Sequence, residues 1–254
     1  MSREKLVIRE NSTLRAQYNS LLKGDIVVGR LRLRKSEEPL LLDLRERGVH
    51  LIPSGLSQLV SRSKTFQTTL FSRFMLPQTR AIHALHDLIE AISDYQKSAI
   101  TAVITKLDRR NAGMGVHLWQ SIEEVYTHAS LGNITFPFVL QPFEPECRDI
   151  RIVFLDDYIE AYWRHNPYSF RNNLHHGGQS KPCELSEEQI KLCRQVMERG
   201  CFPYAHLDIL VTKDGKSYLG EINLRGGIQG AKISPEEYQE KVEVIHQMML
   251  QKAD

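Results

Sequence analysis

Residues 206–223, HLDILVTKDGKSYLGEIN, constrain the fold of this chain more than any other segment does. Two runs of alternating apolar and polar residues flank Asp214-Gly215, which suits a two-residue hairpin turn because both central positions need positive φ. Pairing the strands outward from that turn places Asp208 directly opposite Glu221. The two carboxylates then share one face of the hairpin, with Cβ atoms roughly 5 Å apart.

The acidic face of this hairpin predicts a metal site. Two like charges so close repel each other, so a cation is expected to compensate them. Asn223 lies two positions beyond Glu221 and projects from the same face, which adds a neutral oxygen. Oxygen donors suit Mg²⁺, which takes few carboxylates and keeps positions for water and substrate phosphates. We therefore predict Asp208, Glu221 and Asn223 as metal ligands, and the alternative is a solvated acidic strand face.

Composition and charge argue against several classes of protein. The 254 residues include 33 Lys and Arg against 31 Asp and Glu, a formal charge of +2, so no overall field recruits nucleic acid or an anionic membrane. With 41% hydrophobic and 25% charged residues, the composition is that of a soluble globular protein with a substantial core. The first residues lack the apolar run of a signal peptide, and no segment is apolar enough for a membrane span. We therefore expect a cytoplasmic protein without a nucleic-acid or membrane partner.

Two local features have ordinary interpretations. GRLRLRK, residues 29–35, is a basic segment followed by glutamates, and such a segment is usually the solvated edge of a sheet. The four cysteines form no CxxC pair, so reduced packing residues are expected rather than zinc ligands or disulfides. They are Cys147, Cys183, Cys193 and Cys201.

The rest of the chain alternates helical and strand patterns, which indicates a mixed α/β fold. Besides the hairpin, the predicted strands cover residues 25–33, 49–52, 98–105, 116–119, 136–140, 149–155 and 158–164. The predicted helical segments cover residues 14–22, 37–47, 55–75, 82–92, 121–129 and 186–200, and a last helix opens at Ser234. The first strand, helix and strand after residue 25 are expected to form a small lobe.

KLDRRNAGMGV, which begins at Lys106, is a candidate phosphate-binding loop because it follows a buried strand and contains two glycines. Without a Cβ, Gly113 and Gly115 allow backbone N–H groups to approach phosphate oxygens, and Lys106 supplies a point charge. The loop is neither a GxxxxGK[ST] loop nor a GxGxxG dinucleotide motif. The alternative is a mobile hairpin tip with solvated Arg109 and Arg110.

Three arginines are further candidates for binding an anion. Arg151 lies in the strand DIRIV, Arg164 ends the next strand, and Arg171 lies in SFRNNLHHGG. A guanidinium clamps phosphate or carboxylate through two parallel hydrogen bonds, although most such arginines are surface residues. The neighbouring His175 and His176, and also His206, are interpreted as ordinary hydrogen-bonded histidines rather than as ligands or bases.

The order and spacing of five motifs between residues 25 and 230 resemble the ATP-grasp superfamily, most closely its RimK-like branch of ATP-dependent carboxylate-amine ligases. The motifs are SRSKTFQTTLFSRFMLPQT, the loop after Lys106, VLQPFEPECRDIR, FRNNLHHGG, and the strands LDIL and GEIN. FRNNLHHGG is similar to the branch's FRSNLHRGG and carries the choice of branch. The resemblance implies an ATP-grasp fold with a short N-terminal lobe at 1–62, a central lobe at 63–138 and a C-terminal lobe with the metal site at 139–254.

The resemblance also implies a nucleotide site. The residues implied for ATP are Lys64 and Lys106, the loop residues Gly113, Met114 and Gly115, the hinge Gln141, Pro142 and Phe143, Glu144 or Glu146 at the ribose, and Asp149 and Arg151 of the family's DIR. Arg171 and Asn173 would lie beside the transferred phosphoryl group and act in catalysis with Lys106. Because LDIL and GEIN resemble the family's metal-binding strands, the resemblance assigns one or two Mg²⁺ ions, or Mn²⁺, to Asp208, Glu221 and Asn223. The strand pairing derived from the hairpin gives the same three residues.

The chain departs from the family pattern at several positions. Arg110 stands where the phosphate loop usually has glycine, Pro142 where the hinge usually has glutamate, and His206 where a small residue usually precedes the first metal aspartate. RGG at residues 225–227 replaces the branch's usual SPG, and the N-terminal lobe is short. These departures leave the substrate open.

The implied reaction joins a small-molecule or peptide carboxylate to an amine at the expense of ATP, through an acylphosphate, and releases ADP and phosphate. Residues 107–115 form the candidate lid that would shield the acylphosphate from water. Two alternatives use the same nucleotide site: a phosphotransferase with a hydroxyl acceptor, and a nucleotide-binding module without turnover. The identities of the carboxylate and the amine stay open, and so does assembly into a homo-oligomer.

Overall fold

The computed structural model describes residues 3–110, 113–172, 174 and 177–253. Over these residues the chain forms twelve β-strands in three sheets and eight α-helices. The mixed α/β fold predicted from the sequence is therefore confirmed. In the described part of the chain, no helix is long and apolar enough to span a membrane.

The first sheet is small and parallel. It has the strand order β1-β2-β3, and the two helices between its strands share its apolar core. Its elements are β1 (Val7–Ile8), α1 (Asn11–Gln17), β2 (Ile26–Val28), α2 (Pro39–Glu46) and β3 (His50–Ile52). The small strand-helix-strand lobe expected after residue 25 corresponds to β2, α2 and β3.

The second strand is shorter than predicted. The chain leaves the sheet at Gly29, whose φ of +102° is accessible mainly to glycine. Residues 30–34 form a loop, so the prediction that GRLRLRK is a strand edge is wrong. Leu31 of this loop is buried, and its N–H donates to Gln58 Oε1 at 2.8 Å.

The predicted helical stretch 55–75 is two short helices and a final 3₁₀ turn rather than one element. Helix α3 covers Gly55–Val60 and helix α4 covers Lys64–Leu70. The break lies at Ser63, whose hydroxyl accepts the N–H of Phe66 and thereby starts a new helix. Lys64 consequently occupies the first turn of α4.

The second sheet contains four antiparallel strands in the order β4-β7-β5-β6. Its elements are β4 (Arg80–Ile82), α5 (Leu85–Lys97), β5 (Val103–Leu107), β6 (Val116–Trp119), α6 (Ile122–Ser130) and β7 (Phe138–Pro142). Strand β5 begins later than predicted because α5 runs to Lys97 and Ala99 then turns the chain with a φ of +52°. An apolar core that includes Leu88, Tyr95 and Phe138 joins both helices to this sheet.

The third sheet has five antiparallel strands in the order β10-β9-β8-β11-β12. Its elements are β8 (Arg148–Leu155), β9 (Tyr158–His165), β10 (Gln179–Cys183), α7 (Glu187–Gly200), β11 (Tyr204–Val211), β12 (Ser217–Asn223) and the final helix α8 (Pro235–Ala253). α7 and α8 share the largest apolar core with this sheet. α8 also contacts the first sheet, where Met249 and Leu250 pack against its apolar residues.

The three sheets follow one another along the chain, and the second one includes β7 up to Pro142. The lobe limits 1–62, 63–138 and 139–254 stay a prediction. A buried glutamine links α4 to the third sheet: Gln67 Nε2 donates to the carbonyls of Val60 and Ile222, and Gln67 Oε1 accepts the N–H of Ile222 at 3.0 Å. This link fixes Lys64 relative to the strand that carries Glu221.

Candidate active site

A cavity of about 1190 Å³ is lined by residues of the second and third sheets, of α3 and α4, and of the basic loop after β2. Ligand pockets usually measure roughly 300–1,000 Å³, so this cavity has room for a nucleotide and a second substrate. Fourteen lysine and arginine residues line it, against the three acids Asp149, Asp208 and Glu221. The near-neutral whole chain thus contains a strongly basic interior surface, which favours anionic ligands.

The hairpin that carries two of these acids has the predicted pairing for a different reason. Asp208 does face Glu221. The turn, however, is a three-residue loop: the Gly215 N–H donates to Thr212 O, and the Thr212 N–H donates to Lys216 O, both at 2.9 Å. The prediction of a two-residue turn is therefore wrong.

A β-bulge restores the register. Ile209 faces Leu219, whereas Asp208 faces Glu221, so Gly220 is the extra residue. A Cβ at Gly220 would lie 3.2 Å from the Asp208 carbonyl oxygen, so glycine allows this close approach. The offset of the turn and the bulge cancel, and both carboxylates end on the same face.

Two guanidinium groups bind the Asp208 carboxylate. Arg151 faces Asp208 from β8, and its Nε lies 2.6 Å from Asp208 Oδ1; Arg164 Nη2 lies 3.0 Å from Asp208 Oδ2. Burial alone would raise the pKa of Asp208, but the two guanidinium groups outweigh burial and lower it. Asp208 is therefore ionised.

Arg164 is shared between two acids and is buried, so its interpretation as a surface residue is wrong. Its side chain is 5% exposed, and its Nε donates to Asp149 Oδ1 at 2.6 Å. Burial lowers the pKa of Arg164, but Asp208 and Asp149 outweigh burial and raise it. Burial raises the pKa of Asp149, and Arg164 opposes that shift in part.

The Glu221 carboxylate has partners of its own. Glu221 Oε1 accepts from Lys64 Nζ at 3.0 Å and from Asn223 Nδ2 at 3.0 Å, and Lys64 Nζ also donates to the carbonyl of Arg110 at 2.9 Å. Burial lowers the pKa of the Lys106 ammonium, and the nearby Glu221 carboxylate opposes that shift only in part. Lys64 and Lys106 both line the cavity on the side of the acidic pair.

The side chains of Asp208, Glu221 and Asn223 fit a divalent cation that enters together with an anion. The donors are two opposed carboxylates and an amide, all oxygen ligands of the kind that Mg²⁺ takes. Asp208 Oδ1 is buried and accepts no hydrogen bond from the described residues, because the Arg151 Nε–H is not directed at it. Since Arg151, Arg164 and Lys64 already balance the acids, phosphate oxygens are needed to offset the added charge. The described residues contain no group of three or more His, Cys, Asp or Glu side chains that could hold a metal ion, so this site has only two carboxylates, supplemented by the Asn223 amide.

The glycine loop between β5 and β6 adopts a tight conformation. Gly113 has a φ of +72° and lines the cavity. A Cβ at Gly115 would lie 2.6 Å from the Arg110 Cβ and 3.0 Å from the Leu107 Cβ, so only glycine fits there. Met114, predicted to bind the nucleotide, is 69% exposed and does not line the cavity.

The start of this loop is held by the first part of the chain, so the interpretation of Arg109 as a solvated side chain is wrong. Arg109 forms a two-point ion pair with Glu38, one arm of which measures 2.7 Å. Asp108 accepts hydrogen bonds from Ser63 Oγ at 3.0 Å and from the Thr65 N–H at 3.1 Å. The loop is thereby fixed to α4 and to the residue before α2.

The third sheet holds the far end of the same loop through Arg171. The Arg171 guanidinium stacks on the Phe170 ring at 4.4 Å, and its Nη2 donates to the carbonyl of Val116. Both residues line the cavity. The predicted catalytic residue Asn173, with His175 and His176, lies outside the described residues.

The predicted adenine hinge is only partly at the cavity. Gln141 is buried and lines it, whereas Pro142 and Phe143 do not. The Phe143 N–H already donates to the carbonyl of Ala102 at 3.0 Å, so this group is not free to bind an adenine. The Phe143 ring packs edge-on against Phe170 instead.

The two predicted ribose acids do not lie at the cavity, and their role at the ribose stays a prediction. Both acids lie between β7 and β8, in a turn where the Cys147 N–H donates to the carbonyl of Glu144. Glu146 points to the surface, where its carboxylate binds Lys213 at 3.0 Å and its side chain is 63% exposed. Neither Glu144 nor Glu146 lines the cavity.

Sequence reasoning missed several cavity residues. Arg30 and Arg32 of the basic loop, Arg62 at the end of α3, and Arg225 after β12 all line the cavity. Their signals were present in GRLRLRK, in SRSKTF and in the departure RGG, but none of these segments indicates which distant parts of the chain meet. His206 was correctly interpreted as an ordinary hydrogen-bonded histidine, since its Nε2 lies 3.0 Å from the Tyr238 hydroxyl.

The arrangement of three sheets around this cavity is that of the ATP-grasp enzymes. It matches the crystal structure of D-cycloserine synthetase DcsG with a TM-score of 0.65 and 14% sequence identity, over 96% of this chain and 99% of that one. Residues 58–248 match the model of the RimK-like ATP-grasp domain, and the chain belongs to this family.

The curated relatives are named as glutamate ligases. A probable alpha-L-glutamate ligase of Coxiella burnetii is 28% identical over 191 residues, which cover 72% of this chain and 62% of that protein. The tetrahydromethanopterin:alpha-L-glutamate ligase of Methanocaldococcus jannaschii is 33% identical over 85 residues, 33% of this chain and 29% of that protein. The chain thus spans less than two thirds of the length of these relatives.

Proposed function

We propose that this chain is an ATP-dependent carboxylate-amine ligase that forms an amide through an acylphosphate. The single observation that carries the proposal is the pair Asp208 and Glu221, which face each other at a basic cavity beside a glycine loop. The glutamate-ligase names of the relatives support an amino acid as the amine. A small-molecule or peptide carboxylate completes the proposed reaction.

In the first step an oxygen of the substrate carboxylate attacks the γ-phosphorus of ATP. A new O–P bond forms, the bond to the β-phosphate bridging oxygen breaks, and ADP leaves. Phosphoryl transfer depends on positioning and on neutralising charge. Lys64, Lys106 and Arg171 supply positive charge for the phosphates in this proposal, and each of them lines the cavity.

Asp208, Glu221 and Asn223 would hold one or two Mg²⁺ ions, or Mn²⁺. When bound, the metal neutralises phosphate charge and orients the triphosphate. Arg151 and Arg164 keep the Asp208 carboxylate ionised and oriented through their two ion pairs. Lys64, which bridges Glu221 and the loop carbonyl of Arg110, couples the acidic pair to the phosphate loop.

In the second step the amine attacks the acyl carbon. The C–N bond forms, the C–O bond to phosphate breaks, inorganic phosphate leaves, and the amine nitrogen loses a proton. Water must be kept away from the acylphosphate during this step. Three side chains hold the loop between β5 and β6 over the cavity: Arg109 bonds Glu38, Lys64 bonds Arg110 and Arg171 bonds Val116.

The test is ADP release with Mg²⁺, ATP, pooled amino acids and peptides, and hydroxylamine as the trapping amine. A ligase yields ADP and a hydroxamate in equal amounts. A phosphotransferase yields ADP and a phosphorylated alcohol without hydroxamate, and a module without turnover yields no ADP. Glu221→Gln is expected to remove both products, whereas Asp214→Asn, an exposed acid at the tip of the same hairpin, should retain them.

Neither a nucleic acid nor a membrane is expected as a partner in the proposed reaction. Small-molecule or peptide substrates need neither a nucleic acid nor a membrane, in line with the expectation from overall charge and hydropathy. The expected cytoplasmic location and assembly into a homo-oligomer stay predictions. Sedimentation of the purified chain measures the second of these directly.

A further inference from the structure

We infer that Arg30, Arg32 and Arg225 form an arginine subsite that binds a second anionic group of the substrate, separate from the reacting carboxylate and from the triphosphate. The role in substrate binding rests on the proposed ligase function. Binding of the anion itself does not rest on that function, because it follows from the positions and charges of these side chains alone. All three line the cavity although they come from distant parts of the chain.

The loop that carries Arg30 and Arg32 is held firmly in place. Gly29, where the loop leaves β2, donates its N–H to the carbonyl of Ile52 at 2.6 Å. Leu31 is buried between the two arginines, and the Arg62 guanidinium donates to its carbonyl and to that of Leu33. A backbone fixed in this way presents both guanidinium groups in a set position.

The three guanidinium groups lack counterions within the described part of the chain. Two neighbouring arginines of the same cavity have one: Arg15 binds Glu37 at 2.7 Å, and Arg109 binds Glu38. No carboxylate of the described residues pairs with any member of the arginine subsite. The cavity therefore contains basic residues that are neutralised within the protein and others that are not.

The arginines of the subsite act on one another. Burial lowers the pKa of Arg30, and the positive charges of Arg225 and Arg32 lower it further. Like charges that are held together without a counterion raise the free energy of the folded state, and an anion bound between them relieves that repulsion. Guanidinium groups bind carboxylate or phosphate oxygens through paired hydrogen bonds.

The subsite borders the proposed reaction centre. Arg225 lies two residues after Asn223, and Gly226 follows it. A Cβ at Gly226 would lie 2.5 Å from Arg151 Nη1, so the loop that carries Arg225 rests directly on the arginine that binds Asp208. A substrate whose reacting carboxylate lies at the acidic pair can therefore place a neighbouring anionic group on the subsite.

This geometry favours a small molecule or peptide end that carries at least one carboxylate or phosphate besides the carboxylate that reacts. Carboxylate and phosphate present the same anionic oxygens, so either source fits. A nucleic acid is a different polyanion. Its binding is a competing outcome of the experiment.

The experiment measures fluorescence anisotropy of an N-terminally labelled tetraglutamate peptide, with the nucleotide region filled by Mg²⁺ and a non-hydrolysable ATP analogue. Tetraglutamine of the same length, a phosphoserine peptide and a short single-stranded RNA serve as the other probes. The variants are Arg30→Gln, Arg32→Gln and Arg225→Gln. The matched control is Arg194→Gln, an exposed arginine of α7 outside the cavity.

We expect tetraglutamate or the phosphoserine peptide to bind, and tetraglutamine to bind at least tenfold more weakly. Each subsite variant should weaken binding of the anionic peptide about tenfold, since each removes one charged hydrogen-bond donor. Arg194→Gln should bind the anionic peptides as tightly as the unchanged protein does. The affinity for the ATP analogue should be the same in all variants. The stronger of the two anionic peptides identifies the source of the anion.

The inference is overturned if neither anionic peptide binds more tightly than tetraglutamine, or if binding of the anionic peptides is unchanged in all three subsite variants. It is also overturned if the RNA binds more tightly than both anionic peptides and loses affinity in the same variants, because the surface then serves a nucleic acid. Failure of the proposed reaction has a different signature. In that case the peptide binds as expected, but no ADP and no hydroxamate form.

Discussion

Asp208 and Glu221 face each other because the bulge at Gly220 cancels the one-residue offset of the turn at residues 213–215. Without the bulge, Asp208 would face Gly220, and Glu221 would face Leu207 and point to the opposite side of the sheet. The two carboxylates therefore point to the same face of the sheet, toward the cavity, only because Gly220 forms the bulge.

This dependence predicts the effect of Gly220→Val. A Cβ at residue 220 would lie 3.2 Å from the Asp208 carbonyl oxygen, so the new side chain forces these two atoms apart. The substitution also favours a regular strand ladder without a bulge. We expect ADP release to fall roughly tenfold to a hundredfold, since displacements of about 1 Å at a reaction centre have effects of this size.

The matched control is deletion of Gly220. It removes the bulge but leaves Ile209 opposite Leu219 and Asp208 opposite Glu221. The deletion should therefore retain more activity than Gly220→Val. The reverse order of activities would show that the bulge, and not the register, is what the site requires.

The two proposed metal ligands are expected to differ in their effect on stability. Glu221→Gln should abolish ADP release with little loss of stability, because its side chain is 25% exposed and its principal charged partner is Lys64. Asp208→Asn should abolish ADP release and also lower the free energy of unfolding by about 3 kcal/mol, because it leaves Arg151 and the buried Arg164 without their shared counterion.

Urea denaturation of both variants measures this difference, and Asp214→Asn is the control. Asp214 lies at the exposed tip of the hairpin, so its variant should change stability by less than about 0.5 kcal/mol. Equal stability of Asp208→Asn and Glu221→Gln would contradict the ion-pair network described for Arg164. Full activity of either variant would refute the metal assignment.

The parts of the fold that the sequence predicted correctly are those with a strong local pattern. β6, β8, β9 and β11 have clear apolar alternation, and each was placed within one or two residues. β10, with the sequence QSKPC, was missed because it is polar and contains a proline, and only its pairing with β9 makes it a strand. The pairing of Asp208 with Glu221 was right because the missed turn type and the missed bulge compensate each other.

The limits of prediction at the site have a different cause. Local motifs placed Lys64, Lys106, Arg151 and Arg171 at the cavity, since each lies in a recognisable segment. The arginine subsite combines a loop after β2 with a loop after β12, and no local pattern indicates that such distant segments meet. A formal charge of +2 for the whole chain gave no sign of the basic cavity, because acids elsewhere on the protein balance it.

The stability of the protein should fall as the pH decreases from 7 to 5. Burial lowers the pKa of His206 to about 3, so this ring stays neutral in the folded protein between pH 7 and 5, and burial also lowers the pKa of His246. In the unfolded chain they take up protons below about pH 6.5. The stabilisation that these two rings provide is therefore complete above that pH and is lost as the pH falls, by at most about 1.4 kcal/mol per pH unit for a ring that is protonated in the unfolded chain and neutral in the folded protein.

Urea denaturation at pH 7, 6 and 5 gives this slope. His246→Gln removes one of the two rings and should make the slope smaller, although it also removes the contact of His246 with the Tyr204 hydroxyl. His83→Gln, which replaces an exposed histidine, is the control substitution. A free energy of unfolding that is constant between pH 7 and 5 would contradict the neutral state of His206 and the lowered pKa of His246.

Two adjacent glycines provide a sharp test of the loop that follows β12. A Cβ at Gly226 would lie 2.5 Å from Arg151 Nη1 and 2.8 Å from the His206 ring, whereas a Cβ at Gly227 meets nothing within 4 Å. Gly226→Ala should therefore displace Arg151 from Asp208 and lower ADP release about tenfold or more. Gly227→Ala should leave activity and stability close to those of the unchanged protein, and equal effects of the two substitutions would rule out this contact as the cause.

The ion pair between Arg109 and Glu38 is expected to keep water from the acylphosphate, because it ties the glycine loop to the first part of the chain. Glu38→Gln breaks this tie without touching the nucleotide residues. The ratio of ADP released to hydroxamate formed should then rise roughly two- to fivefold, since part of the acylphosphate reacts with water before the amine does.

The control for this last prediction is Glu243→Gln, which breaks the exposed ion pair of Glu243 with Arg9 at 2.7 Å, far along the chain from the loop. It should leave the ratio at its original value. The charge-reversed pair Glu38→Arg with Arg109→Glu should restore part of the coupling, because it rebuilds an ion pair at the same place. An unchanged ratio in Glu38→Gln would show that Lys64 and Arg171 hold the loop closed on their own.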